Sequence, residues 1–467
     1  MKVGRRVIMT LAFYPRGGSA QVVRYLGGTL ETLGNALTVC SGSLGPPGSS
    51  SHAATFFAGL NVQTLDFTEA VTWFEQGRDP MAAPVPIHPS FEDRPGVPDR
   101  VFASLDDDAY HRQVAVWQSL LERVGLPDLY HIHHLTHVND AVAALDDRPT
   151  VVHLHGTELK MLAEIRLSGV ERWKHAAEWD QRLVKAGRRA DRLVVISPTD
   201  RQLAIDLLGV DPSLIEVVPN GVDVDRFAPI GLTRSERLVQ WRRWLVDEPR
   251  GWDESGQPGT IRYSDSDIDR FMLDPTTGEL LPVLLFVGRF LDFKRVPLLV
   301  RAYATAREAL GPYPPPLVIW GGYPGEWEGE HPYTAATSLG VDGVFFVGWR
   351  GHEDLAVGFN CADVFVAPSV DEPFGQVYLE AMACGLPVIA TDSGGPKSFV
   401  NTDPTAPNGW RVPPDNETEL ADAIVRAASD ESTRRQRGRH GRRLIERQYA
   451  WGRIAQKIDR IYSELLT

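Results

Sequence analysis

The sequence predicts an α/β protein whose two halves are each doubly wound. Three observations carry that prediction. Short, β-branched apolar runs alternate with longer helical patterns along the whole chain. These runs are apolar throughout, as in parallel strands covered by helices on both faces. The same alternation fills both halves of a chain of 467 residues, long enough for two or three domains at roughly 150 residues each.

Taken in order, the strand-like runs of the first half are Arg6 to Phe13, Ala36 to Val39, Leu129 to His133, Thr150 to His155 and Arg192 to Ser197. Those of the second half are Val283 to Gly288, Pro316 to Gly321, Val344 to Gly348, Val364 to Pro368 and Pro387 to Thr391. Val217-Val218-Pro219-Asn220-Gly221 closes the first half with turn chemistry, so an N-terminal Rossmann-like domain is expected over 1–222. From about Pro229 to Pro282, Asp, Glu, Ser and Gly gather around Trp241, Trp244 and Trp252, and Asp274-Pro275-Thr276-Thr277-Gly278 signals a turn. We expect 229–282 to be an inserted linker or lid-like segment, and 283–446 a second Rossmann-like domain. Another loop-rich stretch, Ser41 to Pro98, is expected within the first half. In the tail 447–467, Trp451, Ile454, Ile458, Ile461 and Leu465 recur at helical spacing and make an amphipathic helix.

Composition narrows the function classes. Lys plus Arg number 48 against 61 Asp plus Glu, a formal net charge of −13, which argues against a general polyanion binder. The Arg-rich run Arg434, Arg435, Arg437, Arg439, Arg442, Arg443 reads as a solvated helical face rather than a nucleic-acid contact. The net basic run Lys160 to Arg192 reads as a surface helix, with peripheral contact to anionic lipid left open. No stretch approaches the 18 or more apolar residues that span a bilayer. The apolar part of the start, Val7 to Tyr14, runs into Pro15-Arg16-Gly17-Gly18 and is expected to be a buried strand rather than a signal peptide. Three dispersed cysteines (Cys40, Cys361, Cys384) argue against a disulfide framework, and a cytoplasmic setting is expected.

The most informative segment is Ser369-Val370-Asp371-Glu372-Pro373-Phe374-Gly375-Gln376-Val377-Tyr378-Leu379-Glu380-Ala381-Met382-Ala383-Cys384-Gly385-Leu386-Pro387. It follows a strand, so it lies at a carboxyl end, where open α/β sheets bind ligands. Pro373 and Gly375 shape a turn and Gln376 to Cys384 reads as a helix, placing main-chain N–H groups at a helix start suited to phosphate or sugar oxygens. Glu372 precedes that helix and Glu380 lies just over one turn into it. A single carboxylate can accept from two adjacent ribose hydroxyls. Upstream, Arg289 follows the strand Val283 to Gly288 and Lys294 comes five residues later. A planar fork and a mobile point charge suit a diphosphate.

This segment resembles the E-x7-E signature of retaining glycosyltransferase family 4, whose members have the GT-B fold. The resemblance extends along nearly the whole chain apart from the insertion and the Ser41 to Pro98 loop. It implies two Rossmann-like doubly wound domains facing a central cleft, with the C-terminal helix crossing back to the first. It further implies a metal-independent enzyme moving a sugar from a nucleotide diphosphate sugar, as substrate rather than cofactor, onto an acceptor with retained configuration. In that reading Arg289 and Lys294, with Gly18 and Gly375, hold the donor diphosphate. Glu372, Phe374, Gly375, Gln376 and Val377 hold the donor sugar, and Glu380 the ribose. Gly348, Trp349 and Arg350 lie where the family holds the nucleotide base. Gly17 and Gly18 resemble the family's N-terminal Gly-Gly loop on the acceptor side. Val151-Val152-His153-Leu154-His155-Gly156-Thr157-Glu158 resembles its His-Gly-Thr element, which makes His155 the site histidine, with His153 on the same strand face as the alternative. Gln376 stands where the family usually has a small apolar residue.

Other readings of the same residues stay open at this point. A glycoside hydrolase could use Glu372 and Glu380 as its carboxylate pair, but leaves Arg289 and Lys294 without purpose. A sugar-nucleotide epimerase shares the two-lobed fold. His131, His133, His134 and His137 form a second cluster; with no clear carboxylate or thiolate partner set, we expect no metal there. Base, sugar, acceptor (small molecule, lipid or glycan) and oligomeric state are not encoded in any motif recognised here.

Overall fold

A computed structural model describes residues 4–94 and 96–467. The chain divides into two compact units: Met1–Gly221 with Trp451–Thr467, and Val222–Ala450.

The first unit is built on a seven-stranded parallel sheet in the order β3-β2-β1-β4-β5-β6-β7. Its strands are β1 (Arg6–Leu11), β2 (Ala36–Ser43), β3 (Asn61–Asp66), β4 (Leu129–His133), β5 (Thr150–His153), β6 (Arg192–Val195) and β7 (Ile215–Val217). The strand order reverses between β1 and β4, the switch point at which open sheets leave a crevice beyond their carboxyl ends. The stretch expected to be loop-rich, Ser41 to Pro98, holds β3 and a helix at Thr68–Glu75. β3 escaped the sequence pattern because it is an edge strand with one buried residue, Leu65, so it carries no apolar run.

The last helix, Trp451–Leu465, belongs to this unit. Its buried stripe of Trp451, Ile454, Ala455, Ile458, Ile461 and Tyr462 repeats every three or four residues, as one helix face requires. Burying each of its isoleucines contributes about 1.5–3 kcal/mol. Trp451 stacks on Tyr25 of the helix Gly17–Thr32 at 5.9 Å, and Arg5 pairs with Asp459 at 2.5 Å.

The second unit carries a six-stranded parallel sheet in the order β10-β9-β8-β11-β12-β13. Here the strands are β8 (Leu284–Gly288), β9 (Leu317–Gly321), β10 (Val344–Gly348), β11 (Val364–Ala367), β12 (Val388–Thr391) and β13 (Gly409–Val412). The reversal falls between β8 and β11.

The segment 229–282 is packed into this unit rather than standing apart as a lid or linker. Trp241, Trp244 and Trp252 are all at most 1% exposed. Trp241 and Trp244 meet the edge of Trp320 on β9, and Trp252 stacks on Phe290. Arg237, on the helix Arg234–Arg242, pairs with Asp363 and donates to the Cys361 carbonyl. The Arg-rich helix Glu431–Leu444 is partly turned inward. Arg434 donates to the carbonyls of Ala427 and Ala428, Arg437 to that of Gly409, and Arg442 to those of Val224, Phe227 and Ala383. Half of that charge run therefore fastens backbone. The three cysteines are buried and unpaired.

Candidate active site

In the second unit the carboxyl ends of β8 and β11 present the expected donor residues side by side. Arg289 leaves β8 half exposed and pairs with Glu326 at 3.1 Å. The chain then makes a single turn, Asp292–Lys294, passes through Arg295 at φ 53°, and enters the helix Val296–Leu310. Lys294 is thereby aimed back at the β11 loop, where its Nζ forms an ion pair with Oε2 of Glu372. The side chains of this pair are 13% and 10% exposed. No neutral hydrogen bond in this loop matches the electrostatic weight of that contact.

The loop itself is pinned from both sides. Val370 N–H donates to the Phe293 carbonyl at 2.7 Å, and the Glu372 carbonyl accepts from Gly395 N–H at 2.7 Å. Ser393 accepts from Asp371 N–H and returns its hydroxyl proton to the Asp371 carboxylate. Gly375 caps the helix Gln376–Ala383 in the left-handed region, φ 93°, with no side chain to satisfy the first-turn N–H groups. A Cβ there would sit 2.9 Å from the Tyr378 ring, so glycine is required both by conformation and by space. A helix start without a side-chain cap favours an anion. Phe374 is buried at its base, Gln376 and Val377 form its first turn, and Glu380 is 6% exposed one turn further on.

Of the residues expected at the base, Gly348 ends β10 at φ 75°, and a Cβ there would meet the Arg250 carbonyl at 2.0 Å. Trp349 is half exposed against Tyr323, ring centroids 5.9 Å apart. Arg350 departs from expectation. It is 5% exposed and its guanidinium is engaged with the carbonyls of Trp244 and Glu248. Its side chain holds the 229–282 segment in place and Gly348 is itself buried, so of the three only Trp349 is presented outward. Burial pulls the Arg350 guanidinium down to about 10.

In the first unit, Gly17 and Gly18 open the helix Gly17–Thr32 beyond β1, and a Cβ on either would meet nothing within 4 Å. The helix start is therefore approachable by a ligand. Arg16 beside it pairs with buried Asp99 at 2.5 Å, and that cation helps hold the Asp99 carboxyl below the usual carboxylate range against the opposing effect of burial.

His155 follows β5 and is 9% exposed, whereas His153 is 1% exposed. The two rings stack at 4.9 Å, and alternation along adjacent strands sets His131 and His133 of β4 beside them. Ring contacts run from His133 Nδ1 to His155 Nε2 at 2.9 Å, from His131 Nε2 to His153 Nδ1 at 3.3 Å, and from His131 Nδ1 to the Tyr462 hydroxyl at 2.5 Å. Burial pushes all four imidazoles well below their usual range, His153 to about 3, so they are neutral.

His131, His133 and His153 offer ligand atoms within 4.8 Å of one another, close enough for a metal. Their planes are within 8–21° of parallel. Both ring nitrogens of His131, however, are already engaged, Nδ1 with the Tyr462 hydroxyl and Nε2 with His153, so His131 has no nitrogen left to ligate an ion in this arrangement.

Two residues outside the sequence reading complete this cluster. Glu158, fully buried, accepts His155 N–H at 3.0 Å and faces His134 Nδ1 at 3.5 Å. Its signal was the spacing, a carboxylate three residues after His155, where it can reach back to that residue's N–H. Tyr462 lies on the buried stripe four residues after Ile458, but a pattern followed through the aliphatic Ile461 and Leu465 passes over it.

The chain matches Glycosyltransferase Family 4 over residues 16–226 and Glycosyl transferases group 1 over residues 273–444. It is 29% identical over 349 residues to the D-inositol 3-phosphate glycosyltransferase of Salinispora tropica, covering 73% of this chain and 60% of that protein. In structure it resembles sucrose-phosphate synthase from Thermosynechococcus elongatus (TM-score 0.68, 21% identity, 99% of both chains). It also resembles Anabaena Alr3699/HepE, solved in complex with UDP and glucose (TM-score 0.64, 17% identity, 98% of this chain and 99% of that one). Two parallel-sheet Rossmann-like units with these neighbours define the GT-B fold. By its family matches the chain belongs to glycosyltransferase family 4. Among the described residues, no helix is long and apolar enough to cross a membrane.

Proposed function

We propose that this glycosyltransferase takes its sugar from a nucleotide diphosphate donor and transfers it with retention of configuration. The observation that carries the reading is the Lys294–Glu372 ion pair beside an uncapped helix start at the switch point of the second sheet. One cation, one acid and a set of main-chain donors converge where a diphosphate and the sugar attached to it would be gripped together.

Breaking the sugar–phosphate bond develops positive charge at the anomeric carbon and negative charge on the leaving diphosphate. Arg289, Lys294 and the helix dipole at Gly375 stabilise the diphosphate charge as it grows. Glu372 accepts from hydroxyls of the transferred sugar while remaining paired with Lys294, so both ends of the breaking bond are tied to one ion pair. Glu380 accepts from the ribose hydroxyls, and Trp349 with the Gly348 backbone lines the base. In the first unit, the Gly17–Gly18 helix start and His155 address the acceptor. No residue serves as a covalent nucleophile in this scheme; the leaving phosphate helps deprotonate the acceptor. The name of the Salinispora relative makes a phosphorylated polyol the first acceptor to assay.

The test is a melting-temperature panel of UDP-, GDP-, ADP- and TDP-sugars, since a ligand bound to the native state stabilises it by mass action. At least one should raise the melting temperature and then be consumed with release of its nucleoside diphosphate. A panel that moves nothing would overturn the donor assignment.

A further inference from the structure

The stack of buried imidazoles is more extensive than a single site histidine requires. His131, His133, His153 and His155 pack ring on ring, with centroids 4.7–5.4 Å apart. A neutral imidazole carries one N–H and one lone pair, so every ring-to-ring hydrogen bond fixes the tautomer at both of its ends. Nε2 of His133 and Nε2 of His153 are buried without a hydrogen-bond partner. A buried N–H without a partner is rarer than a buried acceptor without one, which places the protons of both rings on Nδ1.

That assignment propagates through the stack. His153 then donates to Nε2 of His131, and His131 donates from Nδ1 to the Tyr462 hydroxyl of the last helix. His133 donates to Nε2 of His155, which leaves the proton of His155 on Nδ1. Glu158 meanwhile holds the His155 backbone through its N–H, so ring and main chain are anchored separately.

We propose that His133 is the positioning residue for His155: its Nδ1–H, donated to His155 Nε2 at 2.9 Å, fixes the ring in the one tautomer that offers an Nδ1–H to an acceptor hydroxyl. The inference deepens the proposed function and rests on His155 addressing the acceptor. His131, His153 and Tyr462 are the buttress against which His133 packs.

The test combines a spectroscopic and a kinetic readout on the full chain. With 15N-histidine labelling, His155 should show the Nδ1–H tautomer in the wild type and in His133→Asn, whose amide can still donate. It should become a mixture in His133→Leu. With the sugar nucleotide that gives the largest melting shift among UDP-, GDP-, ADP- and TDP-glucose, His133→Leu should lower kcat about tenfold, the rate equivalent of one lost hydrogen bond. KM should stay nearly constant, and His133→Asn should recover most of the rate. An Nε2–H tautomer at His155 in the wild type would overturn the proposal, as would a tautomer unchanged in His133→Leu. So would a stoichiometric metal retained through desalting, since it would occupy the same ring nitrogens. If His133→Leu does not fold, the wild-type and His133→Asn spectra still decide. If no sugar nucleotide is turned over, the functional reading fails while the tautomer result stands on its own.

Discussion

Replacing Lys294 by alanine should destabilise the second unit as well as slow the enzyme, because its partner is buried. Glu372 is 8% exposed and its carboxylate faces the Lys294 ammonium in an ion pair whose side chains are 13% and 10% exposed. Deleting one partner of a buried pair costs about 3–5 kcal/mol, most of it the desolvation of the charge left behind. The residual exposure here puts the expectation near the lower end, at about 3 kcal/mol. If the orphaned charge is the cause, Lys294→Ala/Glu372→Ala should be less destabilised than the two single losses added together, by about 0.5–3 kcal/mol of coupling. Because the chain has two units, the assay should report on the second alone: denaturant dependence of amide exchange in peptides covering β8 and β11, read by mass spectrometry. Strictly additive losses, or a Lys294→Ala protein as stable as wild type, would refute the reasoning. A drop in turnover must then be read alongside the stability change.

Three further outcomes follow from the same geometry. Glu380→Ala should weaken nucleotide binding by calorimetry about tenfold to a hundredfold, the value of hydrogen bonds to a charged acceptor; unchanged affinity would remove Glu380 from the ribose. Burial raises the Asp200 carboxyl to about 6, above the ~3.9 of an unfolded chain. Its native state therefore holds the proton between those values, and its contribution to stability is complete below about pH 4 and lost as pH rises through about 6. Asp200→Asn, which keeps an oxygen for the Ser197 hydroxyl, should gain on wild type in melting temperature between pH 4 and 7, and a constant difference would contradict this. Turnover should survive EDTA, and a loss restored by zinc would redirect attention to the histidine stack.

What the sequence made legible follows from which interactions are local. The apolar runs that became β1, β4, β8 and β11 stand out because each strand is buried on both faces, and the acid-bearing loop follows β11 directly. β3 was not legible, since an edge strand with one buried side chain has no pattern to read. The 229–282 segment misled because its tryptophans are scattered among polar residues, while their partner Trp320 lies some seventy or more positions away in sequence. Arg350 was placed at the nucleotide base by resemblance, together with Gly348 and Trp349; only the folded chain shows its guanidinium taken up by the carbonyls of Trp244 and Glu248. At the site, the residue types and their order were visible but their pairing was not. The Lys294–Glu372 contact joins residues 78 apart, and the two histidine pairs become one stack only through the register that sets His133 opposite His153.

The most direct test of the account is a crystal structure of the chain with the sugar nucleotide that stabilises it most. The diphosphate oxygens should lie within hydrogen-bonding distance of Arg289, Lys294 and the main-chain N–H groups at the start of the Gln376–Ala383 helix, with the ribose hydroxyls on Glu380. A diphosphate seated on any other part of the chain, with Lys294 and Glu372 still paired only to each other, would contradict it.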